Sequence, residues 1–321
     1  MRSRPGRACP VAYRHDPAAL AGPAALRART LYVAGGLYGN RQALDALMAL
    51  AAREPEAPLM VFNGDFHWFD TDAENFSAVN RAALRQVALR GNVETELAGE
   101  DSGAGCGCGY PEWVGDAEVE RSNRILARLR ETARVLPEER AALGALPGHL
   151  TVETNGMRVG IVHGDAESLA GWGFSQEALA AQGAARLANW FDAAQVRVFA
   201  SSHTCLPVAT DLMAAAGRCA LVNNGAAGMP NFAGMRCGVI TRIGAEPAPV
   251  PALYGLELEG LHLEALPLVY DHAAWSRSFL RDWPPGSDAH TSYFRRMESG
   301  PDYGPGQAAR GGFRLRDRAA A

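Results

Sequence analysis

The chain has no lysine: all 31 of its basic residues are arginine, an imbalance that reflects codon usage more than function. A basic excess is missing too. Against 35 acidic residues the net charge is -4, which argues against a general nucleic-acid binder. Long apolar runs are absent; the longest are strand-sized, far short of the roughly 20 residues that cross a bilayer. Arg2, Arg4 and Arg7 are not followed by an uninterrupted apolar segment, so no signal peptide is read. Cysteines are few and irregularly spaced. Cys9, Cys106, Cys108, Cys205, Cys219 and Cys237 make no disulfide framework, and reduced thiols are expected. Together these absences predict a cytoplasmic protein with no membrane and no nucleic-acid partner; they leave its oligomeric state open. What is there is core material. Of 321 residues, 48% are hydrophobic, enough for one large α/β domain or two small ones.

Residues 1–29 carry Pro5, Pro10, Pro17 and Pro23 without periodicity and read as an irregular lead-in. Strands are predicted at 30–34, 59–62, 87–89, 196–200, 219–223, 238–243, 254–258 and 261–266. Asn155-Gly156 between 151–153 and 158–162 is a hairpin signal, because that dipeptide accepts positive φ. Helices are predicted after Gly39 on the spacing of Leu44, Leu47, Met48 and Leu50, over 75–84, and over 118–134. Residues 98–112, with alternating glycines, read as a loop, and 298–321 as a mobile tail. The domain is therefore placed at 30–297, a layered α/β fold with helices outside.

Chemistry concentrates where strands end. In open α/β sheets, ligands bind at loops leaving the carboxyl ends of strands. Five such loops carry polar or glycine-rich clusters: Gly35-Gly36-Leu37-Tyr38-Gly39-Asn40, Gly64-Asp65-Phe66-His67, Gly91-Asn92-Val93-Glu94, His163-Gly164-Asp165 and Ser201-Ser202-His203-Thr204-Cys205. Asp, Asn and His supply the hard oxygens and imidazoles that hold Mn, Fe or Zn.

In order and spacing these loops resemble the motifs of the calcineurin-like metallophosphoesterases: D-x-H-G-N, G-D-x-x-D, G-N-H-D/E, a lone His and G-H-x-H. The resemblance runs over 30–243, and Asn223-Asn224-Gly225 resembles a turn that follows the last motif in many bacterial members. It implies an α/β/β/α sandwich of two mixed sheets flanked by helices, and a metal-dependent hydrolase of phosphate mono- or diesters. It also implies a divided ligand set. Asp65, Asn92, His163 and His203 match one metal site. Of the other, Gly36 stands for Asp, Tyr38 for His and Cys205 for the last His. Val93 replaces the usual catalytic His. The expectation is one divalent or trivalent ion per chain, Mn, Fe or Zn, acting on a small phosphoester.

With one ion, other groups must take part of the work. Tyr38 as hydrogen-bond donor, His67 as acid or ligand and Glu94 as proton shuttle are the candidates, with Cys205 as a softer ligand. Each has a plainer reading. His67 lies beside Trp68 and Phe69 and can be packing, Glu94 can pair with Arg90, and Cys205 can be a buried hydrophobe. Asp165 and Glu167 are candidates to orient the His163 ring. The Cys106-Gly107-Cys108-Gly109 spacing is not that of zinc sites and reads as a glycine loop, with a lid over the site as its functional alternative. Arg310, Arg314, Arg316 and Arg318 read as a solvated tail. Two rival functions stand beside the hydrolase: a catalytically inactive binding or regulatory module, and a centre rebuilt with cysteine sulfur.

Overall fold

A computed structural model describes residues 4–7, 9–100, 103–181 and 183–316. Two mixed sheets lie face to face. The first runs in the order β1 (Leu26–Ala28), β5 (His149–Thr154), β6 (Met157–Val162), β7 (Val198–Ser201), β9 (Gly217–Asn223) and β8 (Val208–Ala214). The second runs β13 (Arg314–Leu315), β11 (Tyr254–Leu258), β12 (Leu261–Leu268), β10 (Gly238–Gly244), β2 (Thr30–Ala34), β3 (Leu59–Asn63) and β4 (Val87–Leu89).

Strand alternation sorts the side chains into layers. Leu31 and Val33 of β2 point between the sheets, where they join Val61, Val159, Ile161, Val198 and Val222 in one apolar core. Tyr32 and Ala34 face the other way, into a second core under α1 (Arg41–Ala51), α2 (Ala73–Leu84), α3 (Asn92–Ala98), α4 (Asp116–Arg134) and α5 (Pro137–Gly144). Behind the first sheet, after α6 (Gln176–Ala181), α7 (Ala184–Ala194) buries Leu187, Trp190 and Phe191 against Phe199 and Leu221. Helices α8 (His272–Asp282) and α9 (Asp288–Ser299) add Trp275, Phe279 and Met297 to the outer core beside the second sheet, and the short α10 (Pro305–Ala308) follows. The layers are α/β/β/α. A buried ion cluster ties the second sheet to the turn after α1: Arg242 of β10 bonds Glu54 at 2.6 Å and Glu264 at 2.9 Å, while Tyr32 donates to Glu54.

The interior strands fall where the sequence puts them, and Asn155 (φ 48°) with Gly156 (φ 80°) makes the predicted positive-φ turn. The chain ends depart from expectation. Among the lead-in's described residues, Leu26–Ala28 pairs in parallel with β5, so this part is not irregular. The tail is corrected over 298–316. Tyr303, Ala308 and Phe313 are buried, Gly312 donates its N–H to Asp211 at 2.6 Å, and β13 pairs with β11. Glycine and proline suggested mobility; three buried side chains anchor the segment instead. Arg310 donates to the Gln176 carbonyl at 3.0 Å, not to solvent alone. Arg318, Arg2 and the remainder of both ends lie outside the described residues. Among those described, no helix is long and apolar enough to cross a membrane.

Candidate metal centre

β2, β3 and β4 run parallel, as do β6 and β7, and their carboxyl ends deliver the five loops to one place. His163 immediately follows β6, and Asp65 and His203 come two residues after β3 and β7. Asn92 opens α3. Asp65 (φ 54°) and His203 (φ 30°) adopt positive φ, as do Tyr38 (φ 59°) and Cys205 (φ 63°) in the neighbouring loops. Strain of this kind gathers at sites whose surroundings overdetermine the backbone.

The four side chains converge. His163 Nε2 lies 3.2 Å from Asn92 Oδ1, 3.3 Å from Asp65 Oδ1 and 3.2 Å from His203 Nδ1. The ligand atoms of Asp65, His163 and His203 all fall within 4.8 Å of one another.

Their outer partners decide what they present. A carbonyl can only accept, so each imidazole keeps a proton on its outer nitrogen. His163 donates through Nδ1 to the Asn63 carbonyl at 2.8 Å, and His203 through Nε2 to the Cys108 carbonyl at 3.0 Å. The Asn92 amide donates to the Cys106 carbonyl at 3.0 Å, which turns its oxygen inward. In the neutral rings, two lone-pair nitrogens, an amide oxygen and a carboxylate then face one another with no proton between them. A cation satisfies that set, and the residues present fit one.

Electrostatics agree with a charged centre. Burial works to raise the Asp65 carboxyl, but His163 and then His203 hold it below the usual carboxylate value. Burial works to lower the His163 imidazole, and Asp65 more than offsets it, so it is raised. His203, buried and beside His163, is pushed down to about 4.

The second site's replacements are placed differently. The Tyr38 hydroxyl meets Cys205 Sγ at 3.1 Å, and a Cβ at Gly36 would stand 3.0 Å from the Tyr38 ring carbon Cζ. The ring therefore fills the space a residue-36 side chain would use. Cys205 Sγ also donates to the His203 carbonyl and lies outside the cluster formed by Asp65, His163 and His203. No cysteine joins that cluster among the described residues.

Three further readings are corrected. Both Glu94 oxygens are taken by backbone N–H groups, of Asp65 at 2.7 Å, Gly91 at 2.9 Å and Phe66 at 3.0 Å. It is fully buried, and holds the Asp65 loop rather than shuttling protons. His67 stacks on Phe76 at 3.7 Å and bonds Asp70 through Nδ1 at 3.0 Å, away from the cavity lining. Asp165 does not orient His163; it accepts three backbone N–H bonds within its own loop, from Glu167, Ser168 and Gly173.

Sequence reasoning missed the loop's part in the site. Gly103, Gly105, Gly107 and Gly109 all have positive φ, which lets the chain present the Cys106 and Cys108 carbonyls to Asn92 and His203. The alternating glycines were the available signal. The loop also supplies Tyr110, which with Trp68, Trp172 and Tyr293 lines a cavity of about 170 Å3 containing Asp65, Asn92 and His203. A larger apolar hollow of about 790 Å3 lies elsewhere, against α1, and contains none of these groups.

Solved structures share this architecture. A metallophosphoesterase from Sphaerobacter thermophilus superposes with a TM-score of 0.53 at 16% identity, over 85% of this chain and 100% of that one. The chain has the metallophosphoesterase fold. A hypothetical protein from Pyrococcus horikoshii gives a TM-score of 0.58 at 17% identity, over 87% and 100%. No protein-family model matches the sequence, and no curated protein matches it.

Proposed function

We propose that this metallophosphoesterase-fold chain is a metal-dependent hydrolase of phosphate mono- or diesters working with one ion. One observation carries the reading: Asp65, Asn92, His163 and His203 converge with inward lone pairs, each set by a named backbone carbonyl or charge partner. These four would hold Mn, Fe or Zn. When bound there, such an ion supplies positive charge against a phosphoryl oxygen and acidity to a coordinated water.

The chain's own groups do the rest. The Asn63 and Cys108 carbonyls keep the outer protons on His163 and His203. Tyr38, pushed well above its ordinary value by burial, keeps its proton and lines the cavity. In this reading its hydroxyl donates to a phosphoryl or leaving-group oxygen. Trp68, Trp172 and Tyr293 wall the cavity and limit water. The unbridged thiols suit a reducing compartment, and a cytoplasmic address is part of the proposal.

The Tyr38–Cys205 contact, which fills the second metal position, favours one rival: a binding module with no turnover. Elemental analysis of the purified chain, with turnover of aryl phosphate mono- and diesters by wild type and His163→Ala, separates the two. Roughly one ion per chain and activity lost in the variant are expected. A chain that takes up no ion and cleaves no ester sinks the hydrolase and leaves the module.

A further inference from the structure

The cavity that holds the candidate ligands has walls whose chemistry is specific. Five aromatic side chains line it, Tyr38, Trp68, Tyr110, Trp172 and Tyr293, together with the carboxylate of Glu118. Arginine and lysine are absent from its described lining. The chain has 31 arginines, and none of them is in that lining.

The rings are held in place by other groups. Trp172 donates its indole N–H to the Cys108 carbonyl at 2.9 Å, and the Tyr110 hydroxyl meets Ser122 Oγ at 3.0 Å. Trp172 and Tyr110 form one pair with centroids 5.8 Å apart, and Trp68 and Tyr293 another at 6.4 Å. Burial raises the Tyr38, Tyr110 and Tyr293 phenols, so the rings stay neutral. Glu118 stands on α4 with one oxygen bonded by Arg121 at 2.6 Å.

Aromatic faces beside a carboxylate, here one with a single oxygen bonded by Arg121, attract a positively charged group, the quaternary ammonium above all. Size points the same way. At about 170 Å3 the cavity is well below the roughly 300–1,000 Å3 of pockets for drug-sized ligands, a size that suits a small headgroup.

We propose that the cavity between the two aromatic pairs and Glu118 recognises the cationic end of its substrate, and that the substrate is a phosphoester of a quaternary amino alcohol. This rests on the esterase reading for the phosphoester half, while the cation half stands on the walls alone.

The test measures binding without turnover. Tryptophan fluorescence of the full chain is titrated with choline, with its uncharged isostere 3,3-dimethylbutanol, and with benzyl alcohol. Choline is expected to bind about tenfold tighter than the isostere, the scale of a desolvated cation–aromatic contact. Glu118→Gln and Tyr110→Leu should each weaken choline by about threefold to tenfold without moving the isostere, at unchanged thermal unfolding for the half-exposed Glu118 site. Equal affinity for choline and isostere, a preference for benzyl alcohol, or choline affinity untouched in both variants overturns the assignment. Phosphocholine in solution and phosphatidylcholine vesicles are then offered in turn. Binding of either supports the class and names its source, free ester or lipid headgroup; binding of neither overturns it. An inert chain that still selects choline keeps the cage and loses the esterase, whereas an esterase that does not select choline loses the cage alone.

Discussion

Asn63 and His163 bind the two sheets to each other beside the candidate metal centre. The His163 ring donates to the Asn63 carbonyl at 2.8 Å, and the Asn63 side chain donates to the carbonyl of Val162, the residue before His163, at 2.8 Å. Replacing Asn63 by Leu removes the second bond and keeps the first. The cost in stability is expected at about 1–3 kcal/mol, at the lower end because Asn63 Oδ1 has no partner among the described residues. Metal affinity should fall as well, since the His163 backbone loses its tether. Denaturant unfolding and a metal titration on the same variant check both.

Glu94→Gln puts an amide where three backbone N–H groups converge. One Gln oxygen cannot replace two carboxylate oxygens, and its NH2 meets N–H donors head-on. A loss of about 3 kcal/mol is expected, as for breaking bonds to a buried charge. Ion binding should weaken through the Asp65 loop. Unchanged stability would return Glu94 to a free, reactive carboxylate.

Restoring the lost aspartate by itself should fail. Gly36 has φ +68°, and its Cβ would crowd Tyr38. Gly36→Asp is expected to destabilise by about 1–3 kcal/mol without adding a second ion, as read by thermal unfolding and elemental analysis. A second ion in the single variant would show that Tyr38 yields more readily than its packing implies.

Gly107→Ala tests the glycine loop. A methyl at φ +66° would collide with the Tyr13 hydroxyl and displace the neighbouring Cys108 carbonyl from His203. Stability is expected to drop by about 1–3 kcal/mol, with weaker metal binding. Gly103→Ala has open space around it and serves as the comparison for backbone strain alone.

Acid stability should report the buried Glu54–Arg242 pair. Burial works to raise the Glu54 carboxyl, but Arg242 and then Tyr32 hold it below its ordinary value of 4.5. A carboxyl depressed by folding contributes stability that is complete above its unfolded pKa and is lost as pH falls through the lower folded value. Wild-type stability should therefore fall below about pH 4.5. Glu54→Gln should be less stable at neutral pH by about 3–5 kcal/mol and lose less on acidification. Parallel pH profiles for both proteins would refute the assignment.

Much of the fold was legible in the residues because the interior strands are short, β-rich apolar runs, and several of them end at glycine or asparagine. The chain ends were not, since a segment of glycine, proline and arginine looks mobile until Tyr303 and Phe313 find neighbours more than fifty residues away. The four candidate ligands came from the resemblance of their loops to family motifs, and strand ends that send the next few residues to one edge of the sheet brought them together. His67 and Glu94 were misjudged for a shared reason: proximity along the chain to Asp65 and Asn92 said nothing about where Phe76 and three backbone amides would take them.

By itself, then, the sequence determined which residue types stand at five strand ends, and through their resemblance to family motifs it implied the layered fold and the candidate ligand set. Only the tertiary structure decided which nitrogen of His163 and His203 faces inward, that the Tyr38 ring fills the space beside Gly36, and that a glycine loop and five aromatic rings shape the cavity. Those are matters of partners distant in sequence, and a hydrogen bond or a van der Waals contact has a direction that spacing along a chain does not encode.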